Sequence, residues 1–148
     1  MEGINAQDRF RGYKLALAKY NIPENEKFIT YGDYGQRSGV EAMSRFLALE
    51  ERPTAVFAAN DLMAMGAIKA IKDARLEIPR DVAVVGFDDL LLASISDPPM
   101  TSVHQPIFDV GKEAVRLLVG QMQNNQKLVQ KVVLDTELII RESTLGKA

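Results

Sequence analysis

The sequence predicts an α/β fold built on a doubly wound, mainly parallel sheet. Short, nearly uncharged runs such as TAVFAA and VAVVGF alternate with longer stretches whose apolar residues recur every three or four positions. Turn residues follow each apolar run, so the chain is ordered α-β-α-β-α-β. Strands and helices that alternate in this way form parallel sheets with right-handed crossovers and helices on both faces.

Composition indicates one ordinary globular domain. The 148 residues are 47% hydrophobic and 26% charged, which is enough to build a core without disulfides. The net charge is −2 and the basic residues are scattered, so the chain lacks the cationic patch that nucleic-acid backbones require. There is no cysteine, no membrane-spanning apolar run and no signal-peptide pattern. We therefore expect a cytoplasmic protein with no membrane contact.

Local signals predict the elements of the first two thirds of the chain. A helix begins at Asn5 or Ala6, with Asn5 as its cap, and is stopped by Asn21 and Pro23. The elements that follow are a strand at 27–34, a helix at 38–50, a strand at 54–59, a helix at 61–75 and a strand at 82–87.

The last third departs from this alternation. Residues 90–106 are predicted to be a long connection, and Pro106 is suited to the first turn of a helix over 107–123. The run at 132–140 has the mixed alternation that is typical of an edge or antiparallel strand.

Polar or aromatic side chains follow the predicted strands at the points where those strands end. Tyr34 follows the first strand, Asn60 the second and Asp88 the third, and Arg9 lies near the start of the first helix. Because ligands of open parallel sheets bind beyond the carboxyl ends of the strands, we expect these four residues to share one rim. A ring for stacking, an amide, a carboxylate and a guanidinium suit a small polar ligand such as a sugar.

Each of these four residues also has a plain structural alternative. Asn60 can be only the cap of the following helix, and Asp88 with Asp89 can only begin a turn. Tyr34 can be a loop aromatic at the edge of the core, and Arg9 can be a solvated helix charge. The sequence alone leaves both interpretations open.

Patterns for catalysis or metal binding are absent from the sequence. The only histidine, His104, has no acid or nucleophile pattern beside it and is interpreted as structural. There is no nucleophile elbow, phosphate loop, dinucleotide fingerprint or zinc-protease motif. Asn60-Asp61 and Asp88-Asp89 make a poor magnesium site without a phosphate loop. We therefore predict a binding protein, not an enzyme, with no catalytic residue, no metal and no cofactor.

Four segments of the chain form a specific set when taken together. They are DRFRGY at 8–13, PTAVFAAND at 53–61 with MAMG at 63–66, IP at 78–79 leading to VVGFDD at 84–89, and PMTSVHQP at 99–106. This set, with REST at 141–144, resembles the effector-binding core of the LacI/GalR family of bacterial transcriptional repressors. The resemblance runs in order over essentially the whole chain.

The resemblance implies a fold of two lobes with an effector cleft between them. On this basis residues 1–103 form most of the C-terminal lobe. Residues 104–130 cross over and supply a late helix that belongs to the missing N-terminal lobe. Residues 131–148 are the return strand and the tail.

The resemblance also implies which residues contact the effector and a second subunit. The family's effector-contacting positions fall on Arg9, Tyr34, Asn60 and Asp88. Its dimer surface falls on the helix after Tyr34, the helix at 63–71 and the leucines at 90–92. Since the family's helix-turn-helix head has no counterpart in this sequence, operator DNA is expected to be bound only through that missing head.

We therefore interpret the chain as the effector-sensing lobe of a LacI-type repressor. It is expected to bind a small-molecule effector, a carbohydrate, and so to modulate operator binding by the full-length homodimer. The alternative interpretation is a solute-binding protein of a sugar ABC transporter. A Rossmann-like enzyme is a third hypothesis, which the missing phosphate loop disfavours.

Overall fold

Five helices, one 3₁₀ turn and four strands make up the described part of the chain, which is residues 4–124 and 130–146 of a computed structural model. They are α1 (Ile4–Lys19), the 3₁₀ turn (Glu26–Phe28), α2 (Gln36–Leu47), β1 (Ala55–Phe57), α3 (Asp61–Asp73), β2 (Ala83–Asp88), α4 (Leu91–Ile95), β3 (Thr101–His104), α5 (Ile107–Asn124) and β4 (Glu137–Ile139). Within these residues, every helix is too short or too polar to cross a bilayer.

The four strands form one sheet in the order β1-β2-β3-β4. The first three strands are parallel, with Val56 opposite Val84 and Phe87 opposite Val103. The last strand is antiparallel to β3, and Leu138 lies opposite Val103. The predicted mainly parallel sheet is therefore confirmed, and the mixed pattern at 132–140 corresponds to an antiparallel edge strand.

The core lies between the sheet and α3. Ile71 of α3 and Val84 of β2 are fully buried in one apolar cluster, together with Met100 just before β3. Successive strand residues point to opposite faces. The buried Val84 therefore marks the face that α3 covers, while the partly exposed Ala83 and Val85 mark the other face.

Two glycines allow α2 and α3 to cross in direct contact. A side-chain carbon on Gly39 of α2 would overlap the main chain of α3 at Met63. Likewise, a carbon on Gly66 of α3 would overlap the carbonyl of Gln36 in α2. Only glycine permits two backbones to approach this closely. This contact fixes α3 and thereby the position of its first residues.

The predicted strand at 27–34 is wrong. Residues 26–28 form a 3₁₀ turn, and Asn25 caps it by accepting a hydrogen bond from the Lys27 N–H at 3.0 Å. Ile29 is extended, but no described strand pairs with residues 29–33. Local capping competes with sheet ladders, and a strand also needs a neighbouring edge that sequence pattern cannot supply.

The long connection predicted at 90–106 contains two elements that the sequence did not predict, α4 and β3. Strand β3 has only four residues and no clear apolar alternation, so it carried no strand signal. The helix expected at 107–123 is confirmed as α5, which leaves Phe108 82% and Met122 76% exposed.

The ends of α1 follow the sequence signals in part. The helix begins at Ile4, so Asn5 lies inside its first turn and is not its cap; the Asn5 side chain lies outside the part that the structure describes. Asn21 does stop the helix. Its φ is 56°, and the next residue, Ile22, donates its N–H back to the Leu17 carbonyl at 2.9 Å.

The end of the chain is anchored between β2 and β3. Ser143 is fully buried, and its hydroxyl donates to the Val84 carbonyl at 2.6 Å and accepts from the Thr101 N–H at 2.8 Å. Its main chain bonds to Pro99 and Val84. Ser143 therefore joins β2 and β3 just before the residues at which the two strands begin to pair with each other.

Replacing Gly66 tests the contact between α2 and α3. We expect Gly66→Ala to lower the free energy of unfolding by about 1–3 kcal/mol, because the methyl group must push the helices apart. Gly12→Ala is the matched control, since nothing lies within 4 Å of its would-be Cβ. The control is expected to gain roughly 0.5–1 kcal/mol from helix propensity. Urea unfolding of the two variants measures both effects, and equal effects would contradict the packing described.

Candidate functional site

The carboxyl ends of β1 and β2 form a rim on which the four candidate residues lie. The Asn60 amide donates to the Tyr34 carbonyl at 3.0 Å. The Arg9 guanidinium donates to the carbonyl of Ala59, the neighbour of Asn60. The same guanidinium lies 4.1 Å from the ring centroid of Phe87, which directly precedes Asp88. Contacts therefore place Arg9, Tyr34 and Asn60 at the edge where Asp88 ends β2.

Arg9 is fixed in place by two contacts. Its guanidinium stacks over the Phe87 ring and bonds to the Ala59 carbonyl, and the residue is partly buried. A cation over an aromatic face gains electrostatic energy and loses side-chain freedom before any ligand arrives. The solvated-charge alternative for Arg9 is therefore wrong, and its remaining N–H groups stay available as donors.

Asn60 is the cap of α3 and also holds the preceding loop. Its side-chain oxygen accepts from the Met63 N–H at 2.9 Å, while its amide nitrogen donates to the Tyr34 carbonyl. The residue is only 8% exposed. The capping interpretation is confirmed, and the amide keeps one N–H and one lone pair beyond these two bonds.

Tyr34 occupies the left-handed region of backbone space, with φ at 66°. The Asp33 carboxylate accepts from the Gly35 N–H at 2.8 Å, so a side-chain turn encloses Tyr34. The residue is 40% exposed. A bulky residue at positive φ is costly, and such residues persist where the surroundings hold them.

Asp88 ends β2 and Asp89 follows it, with φ values of 106° and 53°, and their side chains have different partners. Asp88 accepts from the Gln105 side-chain amide at 2.6 Å. Asp89 forms an ion pair with Arg141 at 2.7 Å and lies 3.2 Å from the His104 imidazole. Asp89 is thus engaged inside the fold, which leaves Asp88 as the carboxylate of the rim.

A third carboxylate, Asp61, is buried behind the rim. It accepts from the Leu90 N–H at 2.7 Å and from the Ser102 hydroxyl at 2.6 Å, and its side chain has no exposed surface. Burial raises the pKa of Asp61 despite these two hydrogen bonds, and the nearby Asp88 and Asp89 raise it further.

The rim is an open edge, and the pockets found on the surface lie elsewhere. A pocket of about 560 Å³ lies at the other end of the sheet, beside Ile78, Pro79 and Pro98, which precede β2 and β3. Among the described residues, no group of three His, Cys, Asp or Glu side chains is arranged to hold a metal ion. The guanidinium, amide, carboxylate and aromatic ring of the rim are groups suited to hydrogen bonding and stacking.

This arrangement matches a known family. Residues 3–144 match the periplasmic binding protein-like domain. The chain belongs to this family. It is homologous within it to LacI-family transcriptional regulators, as the motifs of the sequence indicated.

Named relatives of this periplasmic binding protein-like domain are regulators. The transcriptional repressor CytR of Escherichia coli K12 is 40% identical over 136 residues, which are 92% of this chain and 40% of CytR. Catabolite control protein A of Priestia megaterium is 38% identical over 97% of this chain and 43% of its own length. This chain thus spans about two fifths of the length of these relatives.

Solved structures show the same fold. The complex of the regulator CelR with cellobiose superposes with a TM-score of 0.83 at 40% identity, over 91% of this chain and 41% of that one. A LacI-type regulator from Bacillus cereus subsp. cytotoxis superposes with a TM-score of 0.91 at 29% identity, over 96% of this chain and 50% of that one. The predicted fold class is confirmed for this periplasmic binding protein-like domain.

Sequence reasoning missed two side chains that hold the rim of this domain. Phe87 beneath Arg9 was taken only as part of a buried strand, although it directly precedes Asp88. Gln105, which binds Asp88, directly follows β3. The rule of inspecting strand ends finds Gln105 only once β3 is recognised as a strand.

Tyr34→Gly separates stability from the chemistry of the rim. Glycine adopts a positive φ without steric cost, so we expect the free energy of unfolding to rise by about 0.5–1 kcal/mol. The aromatic ring would be lost at the same time. Tyr31→Gly is the control, because Tyr31 is exposed and has a negative φ. Chemical denaturation that shows the same change for both variants would contradict the strain at Tyr34.

The raised pKa of Asp61 predicts a pH-dependent stability. Burial raises the folded pKa of Asp61 above its ordinary value of 3.8. The stability contributed by its protonated form is therefore fully present below that pH and is lost as the pH rises through the folded pKa. The difference in unfolding free energy between wild type and Asp61→Asn should therefore fall as the pH rises above the ordinary aspartate range and through the folded pKa. Denaturation series at several pH values measure it. A difference that stays constant or rises with pH would refute the effect of burial.

Proposed function

We propose that this chain is the effector-sensing lobe of a LacI-type transcriptional regulator and that it binds a small polar ligand of the carbohydrate class at the rim. The observation that carries the proposal is the set of contacts that holds Arg9, Tyr34 and Asn60 at the carboxyl end of β1, beside the end of β2 where Asp88 lies. Side chains held there before a ligand arrives reduce the entropy cost of binding.

The chemistry of the rim suits a ligand with several hydroxyl groups. One carboxylate oxygen of Asp88 accepts a hydrogen bond from the Gln105 amide, which leaves the other oxygen to accept from a ligand hydroxyl. Arg9 keeps free donors, and the exposed ring of Tyr34 offers a flat apolar face. In support, a relative was solved with cellobiose and a LacI-family regulator from Enterococcus faecium with ribose. The proposed role is binding without catalysis.

We divide the chain by lobes in this proposal. Residues 1–103 form the sensing lobe, 104–130 cross to a second lobe, and 131–148 return. The exposed apolar side of α5 supports the division, because Phe108 and Met122 find no cover in the described part of the chain. A ligand that bridges the two lobes would favour their closed arrangement, and the regulator would respond by a shift of population.

The regulator is proposed to act in the cytoplasm as a homodimer on operator DNA. CytR is named as an HTH-type transcriptional repressor, and this chain matches 40% of its length. DNA contact is therefore assigned to another part of the full-length protein. The proposed dimer surface includes α2, α3 and the leucines at 90–92, of which Leu91 is 77% exposed.

Ligand titration of the full-length protein tests this function. Cellobiose, ribose, other sugars and nucleobases would be titrated by calorimetry, and operator affinity would be measured with each compound that binds. Arg9→Ala and Asp88→Asn should each weaken binding by about tenfold or more, because each removes a charge-assisted hydrogen bond.

The control for these variants is Arg80→Ala. Arg80 precedes β2, at the end of the sheet opposite the rim, in an exposed pair with Glu77 at 3.0 Å, so its loss should leave ligand affinity unchanged. The proposal fails if no compound of the panel binds, or if a bound compound leaves operator affinity unaltered.

A further inference from the structure

The buried carboxylate of Asp61 joins three parts of the fold. Asp61 is the first residue of α3. One of its oxygens accepts from the Ser102 hydroxyl in β3, and the other accepts from the Leu90 N–H after β2. The Ser102 oxygen in turn accepts from the Asp89 N–H at 3.1 Å. The start of α3, the strand β3 and the turn at 88–90 are therefore connected through one carboxylate and one hydroxyl.

The turn at 88–90 needs such support. Asp88 and Asp89 both have positive φ, and two successive non-glycine residues in that region persist only where their surroundings hold them. The two N–H groups that follow Asp88 bind the Asp61–Ser102 pair. Space for the carboxylate is provided by Gly86, since a side-chain carbon there would overlap an Asp61 oxygen.

We propose that Asp61 is a positioning residue for the ligand site: it does not contact the ligand, and its carboxylate sets the orientation in which Asp88 faces the rim. The proposal rests on the proposed function, because Asp61 is assigned the role of orienting Asp88, and Asp88 is the residue that would contact the ligand. In this proposal the adjacent residues Asn60 and Asp61 have separate roles. Asn60 holds the loop of Tyr34, and Asp61 holds the turn of Asp88.

A purely electrostatic role at the start of α3 makes a different prediction. Any acid there would interact favourably with the positive helix end, and replacing it by a neutral group would remove the whole effect. Positioning depends instead on hydrogen-bonding groups placed to bind both Leu90 and Ser102. Asparagine can supply both contacts, since its oxygen can accept from Leu90 and its nitrogen can donate to Ser102. Asp61→Asn and Asp61→Ala therefore distinguish the two roles.

The first experiment needs no ligand. Nitrogen–proton NMR spectra would follow the Gln105 side-chain amide, which binds Asp88, and hydrogen exchange would follow the Leu90 N–H. In Asp61→Ala we expect the Gln105 signals to move and Leu90 to exchange about tenfold faster or more, because its acceptor is gone. In Asp61→Asn both should stay close to wild type. Asp73→Ala is the control, since Asp73 ends the same helix in an exposed pair with Lys69.

A second variant keeps the test decisive if Asp61→Ala does not fold. Ser102→Ala removes the acceptor of the Asp89 N–H but leaves the bond between Asp61 and Leu90. It should move the Gln105 signals in the same direction and by less. Gln105 signals that stay at their wild-type positions in the folded variant would overturn the proposal.

The second experiment measures affinity for cellobiose and ribose by calorimetry on the full-length protein. Asp61→Ala should lose about tenfold to a hundredfold, and Asp61→Asn no more than about threefold. Equal losses in the two variants, or none in Asp61→Ala, would overturn the positioning role. If neither sugar binds the wild type, the proposed function loses these two ligands, and the NMR experiment alone decides the role of Asp61.

Discussion

The first turn of α3 is the point on which the rim depends. Its cap, Asn60, and its first residue, Asp61, are both buried and bond to different segments, the loop of Tyr34 and the turn after β2. The position of this turn is itself fixed by the glycine contact between α2 and α3. Because its packing against α2 fixes the position of α3, Asn60 and Asp61 are held at defined places. Their hydrogen bonds then fix the conformations of the Tyr34 loop and of the turn after β2.

The rim is built at a cost in stability that the core offsets. Tyr34, Asp88 and Asp89 occupy sparsely populated backbone conformations, which cost on the order of 1–3 kcal/mol each. The net free energy of unfolding of a domain is only about 5–15 kcal/mol, so the cost of these three conformations is large in comparison. Burial of the Asp61 carboxylate, which raises its pKa, adds to this cost in stability. Strain gathered at one edge of a sheet is typical of a site kept for binding.

Much of the candidate site could be predicted because it follows from strand ends. Asn60 and Asp88 come directly after apolar runs that are confirmed as β1 and β2, and parallel strands end at a common edge. The partners of Asp61 could not be predicted in this way, since Leu90 and Ser102 lie 29 and 41 residues further along the chain. The false strand at 27–34 and the missed β3 share one cause. Pairing depends on a neighbouring strand, and apolar pattern reports only on burial.

The anchoring of Ser143 has a consequence for synthesis of the protein. Its hydroxyl holds Val84 and Thr101, which were added to the growing chain 59 and 42 residues earlier. A ribosome makes these two segments first, and their shared bonds cannot close until residue 143 has emerged from the exit tunnel. The contacts of Ser143 and the pairing of β4 with β3 can therefore form only after most of the last third of the chain has been translated.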